Sequence, residues 1–65
     1  MSADESLSKA EELMARLEAA RARLESTDDP DEAIEVLQEL ADLAREIEAE
    51  LQRARRASET DAADA

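Results

Sequence analysis

Four acidic residues recur at helical spacing in the second half of the chain, and such a row of carboxylates can bind divalent cations or imitate a phosphate backbone. They are Glu35, Glu39, Asp42 and Glu46. Carboxylate metal sites in helical bundles point inward and often include a histidine at ExxH spacing. This row is predicted on the helix face away from the apolar seam, and the chain has no histidine. We therefore expect a solvated helix face and no metal site.

Arginines form the second group of candidates. Arg53, Arg55 and Arg56 could contact nucleic acid or protein, but cations in the last turns of a helix also offset its dipole, which is the interpretation we favour. Arg21 lies close beside the apolar seam of the first half. It either anchors a partner carboxylate or covers apolar surface with its aliphatic stem, and the sequence leaves both open.

The composition excludes most other chemistry. The chain has no cysteine, histidine, glycine or aromatic residue. That removes thiol and imidazole catalysis, zinc binding through Cys or His, glycine-rich phosphate loops and aromatic stacking on bases. The few serines and threonines have no visible general base beside them. We expect no catalytic residue, no cofactor and no small-molecule substrate, so the chain is not predicted to be an enzyme.

The charge bounds the partners. Nineteen acidic and eight basic residues give a net charge of −11, which repels nucleic acid and anionic membrane surfaces. No apolar run approaches the length of a membrane span, and no signal peptide is visible. We expect a cytoplasmic protein with no direct nucleic-acid or membrane binding, and the lack of cysteine fits a reducing compartment.

Apolar periodicity predicts two helices. The first covers about residues 5–26, with Ser2, Asp4 and Ser8 as alternative N-caps. The second covers about residues 30–57, and the acidic remainder, 58–65, is predicted to be disordered. The first seam is Ala10, Leu13, Leu17, Ala20 and Leu24, and the second is Ala33, Leu37, Leu40, Ala44, Ile47, Leu51 and Ala54. Val36, Leu43, Ile34 and Ala41 flank the second seam on both sides.

The only proline marks the hinge. Asp29 precedes Pro30, which disfavours an α conformation at Asp29 and ends the first helix before it. Pro30 then suits the first position of the second helix, Asp29 its N-cap, and Glu32 a capping box that returns to Asp29. The connector is only about residues 26–29, and a loop that short makes the two helices antiparallel neighbours.

The expected fold is therefore an all-α, antiparallel two-helix hairpin over residues 1–57. Its second helix has a wider apolar face than one facing helix can cover, and it overhangs the first helix from about Leu51. We expect a second copy, giving a dimeric four-helix bundle, or a larger partner subunit to cover the remainder. The predicted interface residues are Leu13, Leu17, Leu24, Val36, Leu37, Leu40, Leu43, Ile47 and Leu51.

The segments around the hinge resemble a known family. The sequences "RLE" at 16–18, "RLES" at 23–26 and "DEAI" at 31–34 are similar to the exodeoxyribonuclease VII small subunits, which are short acidic helical hairpins. The likeness spans about residues 10–55, without the glycine that usually follows "LES" in the family. It implies a non-catalytic accessory subunit that packs on the helical region of a large nuclease subunit degrading single-stranded DNA. The implied contacts are Leu37, Leu40, Leu43, Ile47 and Leu51.

Two other functions fit the same pattern. One is a free-standing homodimeric four-helix bundle of structural role, natural or designed. The other is an acidic regulator that occupies a basic nucleic-acid-binding surface, through an attraction that salt would screen.

Overall fold

The chain folds as two antiparallel helices packed along their length. The computed structural model describes residues 2–64, with side chains over residues 2–59. Helix α1 is Ala3–Ser26 and helix α2 is Pro30–Asp64. The molecule measures 54 × 14 × 13 Å, which is the length of α2 and the width of two helices. The predicted all-α hairpin is confirmed.

A side-chain cap sets the start of α1. Among the three candidate caps, Ser2 has the extended backbone of an N-cap residue, and its Oγ accepts the N–H of Glu5 at 3.2 Å. The helix consequently begins at Ala3, two residues before the predicted position. Asp4 and Glu5 then lie in the first turn, where their charges suit the positive end of the helix dipole.

Thr27 ends α1 and organises the connector. Its backbone is extended, and its N–H donates to the carbonyl of Arg23 at 3.0 Å. Its hydroxyl accepts the N–H of Asp29 at 3.2 Å and donates to the carboxylate of Glu32 at 3.0 Å. One side chain thereby satisfies a backbone donor of the connector and holds the first turn of α2, so three residues suffice to reverse the chain.

The N-terminus of α2 is capped by Asp29. Its Oδ1 accepts the N–H of Asp31 at 2.9 Å, and its carbonyl accepts the N–H of Ala33 at 2.9 Å. Pro30 is the first helical residue. The capping box predicted a bond from the Asp29 N–H to the Glu32 carboxylate, and the structure has a different arrangement. The Asp29 N–H donates to the Thr27 hydroxyl, which in turn donates to the Glu32 carboxylate.

The core between the helices keeps part of the predicted α2 seam and changes the rest: Leu40, Ile47 and Ala54 are retained, while Val36, Leu43 and Glu50 take the places predicted for Leu37, Ala44 and Leu51. Val36 is 1% exposed and Leu43 is buried, whereas their neighbours Leu37 and Ala44 are exposed. The seam of α1 is the predicted one, extended at the N-terminal end by the buried Ser6. The cluster of buried and partly buried residues is Leu13, Leu17, Ala20, Leu24, Val36, Leu40, Leu43 and Ile47.

The seam continues beyond this cluster with small and polar residues. Ala10 and Ser6 on α1 are buried, as are Glu50 and Ala54 on α2. The part of α2 after Leu51 was predicted to lack an intramolecular partner, but Ala54 at 6% exposure lies within the seam. Apolar burial is therefore concentrated in the half near the hinge, and the open end is held by alanines around a buried carboxylate.

Helix α2 extends further than predicted. It continues to Asp64, although a disordered tail was expected from residue 58, and the last residue of that tail, 65, lies outside the described residues. Alanine is the best helix former, and neither proline nor glycine interrupts this segment. Arg55 also pairs with Glu59 at 3.1 Å across one helical turn.

Candidate protein-interaction site

The two edges of the helix–helix seam differ in character. On one edge, a row of charged residues runs along each helix. On α1 it is Lys9, Arg16 and Arg23, and on α2 it is Glu32, Glu39, Glu46 and Arg53. Arg23 Nη1 lies 3.3 Å from a Glu39 carboxylate oxygen, and Arg23 Nη2 lies 4.0 Å from Glu32. Lys9 and Glu46 line one surface depression further along this edge. We call this edge the ionic side, and there Arg23 of α1 pairs with two carboxylates of α2.

The opposite edge is apolar. In an antiparallel pair, rows that precede the seam meet each other on one side, so rows that follow it meet on the other. The following rows contain large exposed side chains: Leu37 is 53% exposed, Met14 51%, Leu51 45% and Leu7 44%. We call this row the apolar stripe, and its members are Leu7, Met14, Leu37, Ala44 and Leu51.

Helix α2 widens the stripe near the hinge. Ile34 is 54% exposed and lies one turn before Leu37, and the exposed Ala41 lies one turn before Ala44. Exposed apolar residues scattered singly are normal on a soluble protein, but a contiguous row marks an interaction surface. The stripe follows a seven-residue repeat, which is the spacing of contact rows between packed helices, and Arg21 takes the third position of its α1 row.

The predicted interface residues consequently divide into two groups. Leu13, Val36 and Leu43 are buried inside the hairpin. Leu17, Leu24, Leu40 and Ile47 are partly buried and pack against that core. Only Leu37 and Leu51 of the predicted set lie on the apolar stripe, while Leu7 and Met14 of α1 join them although they were not in that set.

The predicted acidic row does not lie entirely away from the seam. Glu39 contacts Arg23 of the other helix, and Glu46 lines a depression with Lys9 and Arg53. These two carboxylates therefore belong to the ionic side, and Glu39 contributes an ion pair between the helices. Among the described residues, no group of three or more Asp, Glu, His or Cys side chains is arranged to hold a metal ion.

The arginines are engaged locally. Arg21 lies 3.2 Å from both Glu18 and Glu25, one turn to either side on α1. Because α2 continues to Asp64, the cluster at 53–56 does not occupy its last turn as predicted, and the dipole does not account for it. Instead, Arg53 pairs with Glu50, and Arg55 with Glu59.

Glu50 is the one acidic side chain buried in the seam among residues with described side chains. It is 3% exposed. One carboxylate oxygen bonds to Arg53, and the other, Oε2, is buried without a hydrogen-bond partner. Sequence reasoning missed this residue because the neighbouring Leu51 satisfied the apolar pattern better.

Neither described helix has a stretch that is both long and apolar enough to cross a membrane. Comparisons of the chain with protein-family models, with curated proteins and with solved structures find no match.

Proposed function

We propose that this chain is a non-catalytic interaction subunit that buries its apolar stripe against another protein. The observation that carries the proposal is the heptad-spaced row of half-exposed Leu and Met side chains on one edge of the hairpin. These residues contribute little to the hairpin's own core, where Val36 and Leu43 occupy the seam. Exposed apolar residues at this regular spacing are typical of a surface that another helix covers.

The small size of the hairpin supports the same function. Two helices bury a limited apolar area, and chains below about 70–80 residues usually need a staple or an oligomeric partner. This chain has no cysteine for a disulfide. A partner that covers the stripe would bury apolar side chains that the hairpin alone leaves exposed.

Homodimerisation into a four-helix bundle is the second candidate. It is favoured by the presence of the stripe on both helices, so that two copies related by a twofold axis could each cover the other. A concentration series by analytical ultracentrifugation tests it. The homodimer requires a concentration-dependent mass that approaches twice the 7.1 kDa of one chain.

The resemblance around the hinge adds a named partner to the first candidate. By that resemblance, the chain would pack on the helical region of a large exonuclease VII subunit. The contact would be made by Leu37 and Leu51 of the implied set, since Leu40, Leu43 and Ile47 are largely occupied within the hairpin. Recovery of a large nuclease subunit with the chain from its native cell is the expected result.

The decisive variants are neighbours on α2. Leu37→Asp places a charge in the stripe, whereas Gln38→Asp adds the same charge at an exposed position outside it. We expect Leu37→Asp to release the co-purifying partner and Gln38→Asp to retain it, with both variants equally helical by circular dichroism. Equal recovery of the partner by both variants would contradict the proposal.

A further inference from the structure

The apolar stripe has an acidic border on α1. The row beyond the stripe there consists of exposed carboxylates at seven-residue spacing, Asp4, Glu11, Glu18 and Glu25. The border on α2 is mixed, because the row that begins with Ile34 and Ala41 continues with the acidic Glu48 and the basic Arg55. The Arg21 guanidinium, which lies in line with the stripe, is held between Glu18 and Glu25.

Half of the basic residues lie on the opposite edge of the hairpin. Four of the eight are in the rows of the ionic side: Lys9, Arg16, Arg23 and Arg53. Two of these pair with carboxylates of the same chain, Arg23 with Glu39 and Arg53 with Glu50. Near the stripe, the arginines that are present are paired within their own helix, as Arg55 is with Glu59, so the carboxylate row of α1 dominates the charge beside the stripe.

These borders distinguish the possible occupants. A second copy would bring the same carboxylate row of α1 and another net charge of −11 to the interface, so like charges would oppose its approach. A helix with an apolar face flanked by Lys and Arg would bury the same Leu and Met side chains and place its cations opposite the carboxylates.

We propose that the occupant of the stripe is a basic amphipathic helix of another protein, which completes a three-helix bundle. The inference rests on the proposed interaction function and names the chemistry of its partner. From Ile34 to Leu51 the stripe covers 18 residues of α2, which corresponds to a partner helix of about 26 Å. Such a helix packs Leu-type residues on the stripe and directs its basic residues to the carboxylate row of α1.

Three synthetic 18-residue peptides test the proposal with the full chain. The first carries a heptad Leu face flanked by Lys and Arg, the second has Glu at every basic position, and the third is a scrambled version of the first. Isothermal titration calorimetry measures binding of each to the wild-type chain and to its Leu37→Asp and Gln38→Asp variants. Sedimentation of the chain alone at the same concentrations gives its own association state.

The expected result is binding of the basic amphipathic peptide alone. Its affinity falls at least about tenfold with Leu37→Asp and changes little with Gln38→Asp. It also weakens as NaCl is raised, because the borders are exposed and screened. Binding of the scrambled peptide with equal affinity would overturn the proposal, since charge without the stripe would then be sufficient.

The remaining outcomes distinguish failure of this proposal from failure of the function on which it rests. Equal binding of the acidic and basic amphipathic peptides, or a dimer of the chain that Leu37→Asp dissociates, would overturn the basic helix but leave the stripe as an interaction surface. A monomeric chain that binds none of the three peptides, in a fold confirmed by circular dichroism, would overturn the proposed partner. If no partner from the native cell depended on Leu37 either, the proposed function would also fail.

Discussion

Replacement of the buried carboxylate at the open end of the hairpin should stabilise the protein. Glu50 is 3% exposed within a seam of alanines, and its Oε2 has no hydrogen-bond partner. A buried, unsatisfied polar atom costs about 1–3 kcal/mol, and more when the group is charged. In Glu50→Leu this cost disappears, and the leucine side chain gains up to about 1.5–3 kcal/mol of apolar burial.

One interaction is lost in the exchange. Arg53 is half exposed, so its pair with Glu50 contributes only about 0.2–1 kcal/mol after solvent screening. Some of the apolar gain is also offset because the leucine must fit a site that accommodates glutamate. We therefore expect a net stabilisation of about 1–4 kcal/mol, the gain seen in the stabilising cases when buried ion pairs are replaced by apolar residues, other cases being neutral.

Urea unfolding followed by circular dichroism measures this effect. For a chain of this size, with a slope near 1 kcal/mol per molar urea, the midpoint should rise by at least about 1 M. Glu35→Leu is the matched control, because the same substitution at an exposed position of α2 should change the free energy of unfolding by no more than about 0.5 kcal/mol. All variants are compared at one protein concentration, and their masses are checked by sedimentation.

A third variant separates charge from shape. Glu50→Gln removes the charge but keeps a polar group in the seam, so its stability should lie between those of the wild type and Glu50→Leu. A Glu50→Leu protein that is less stable than the wild type, with unchanged mass, would refute the reasoning. It would mean that the carboxylate is better satisfied, or the seam less open to leucine, than the burial of Glu50 implies.

Three further predictions follow from the seam, the cap and the net charge. Val36→Ala should lower the free energy of unfolding by about 2 kcal/mol, whereas Leu37→Ala should lower it by under about 1 kcal/mol. If urea unfolding of the monomer showed the larger loss for Leu37→Ala, the row with Leu37 would be the buried one and the seam described above would be wrong. Asp29→Ala should cost about 0.5–2 kcal/mol by thermal unfolding through loss of the bond from the Asp31 N–H, while the neighbouring Asp28→Ala should have a smaller effect. The acidic residues behind the net charge of −11 repel one another, and salt screens that repulsion, so the melting temperature should rise between about 0.05 and about 1 M NaCl. A melting temperature that stays flat or falls would show that repulsion among these charges does not govern the stability.

Local features of this chain follow directly from its sequence. The hinge is determined by short-range geometry, because proline restricts the residue before it and Asp29 caps the helix that Pro30 begins. The seam of α1 is likewise readable, since Ala10, Leu13, Leu17, Ala20 and Leu24 form one heptad row without a charged residue, whereas the adjacent row with Leu7 and Met14 is interrupted by Arg21. These features depend on residues within a few positions of each other, and so they need no knowledge of the partner helix.

The choice between two adjacent rows on α2 was made by tertiary packing. The row with Val36, Leu43 and Glu50 and the row with Leu37, Ala44 and Leu51 both continue the same heptad frame, and apolar periodicity favours the second because it contains no charge. In the structure α2 is rotated so that the first row, with Val36 and Leu43, faces the seam of α1. The pairing of Arg23 with Glu39 on the ionic side is consistent with that rotation.

The candidate site is a consequence of that rotation. Sequence alone determined that α2 carries more apolar surface than one helix can cover, since amphipathicity is a property of a single helix. Only the packed hairpin decided which residues are left over, because exposure depends on how both helices are oriented about a shared axis. The half-exposed Leu7 and Met14 meet Leu37 and Leu51 on one edge for that reason, and the buried Glu50 lies in the seam for the same one.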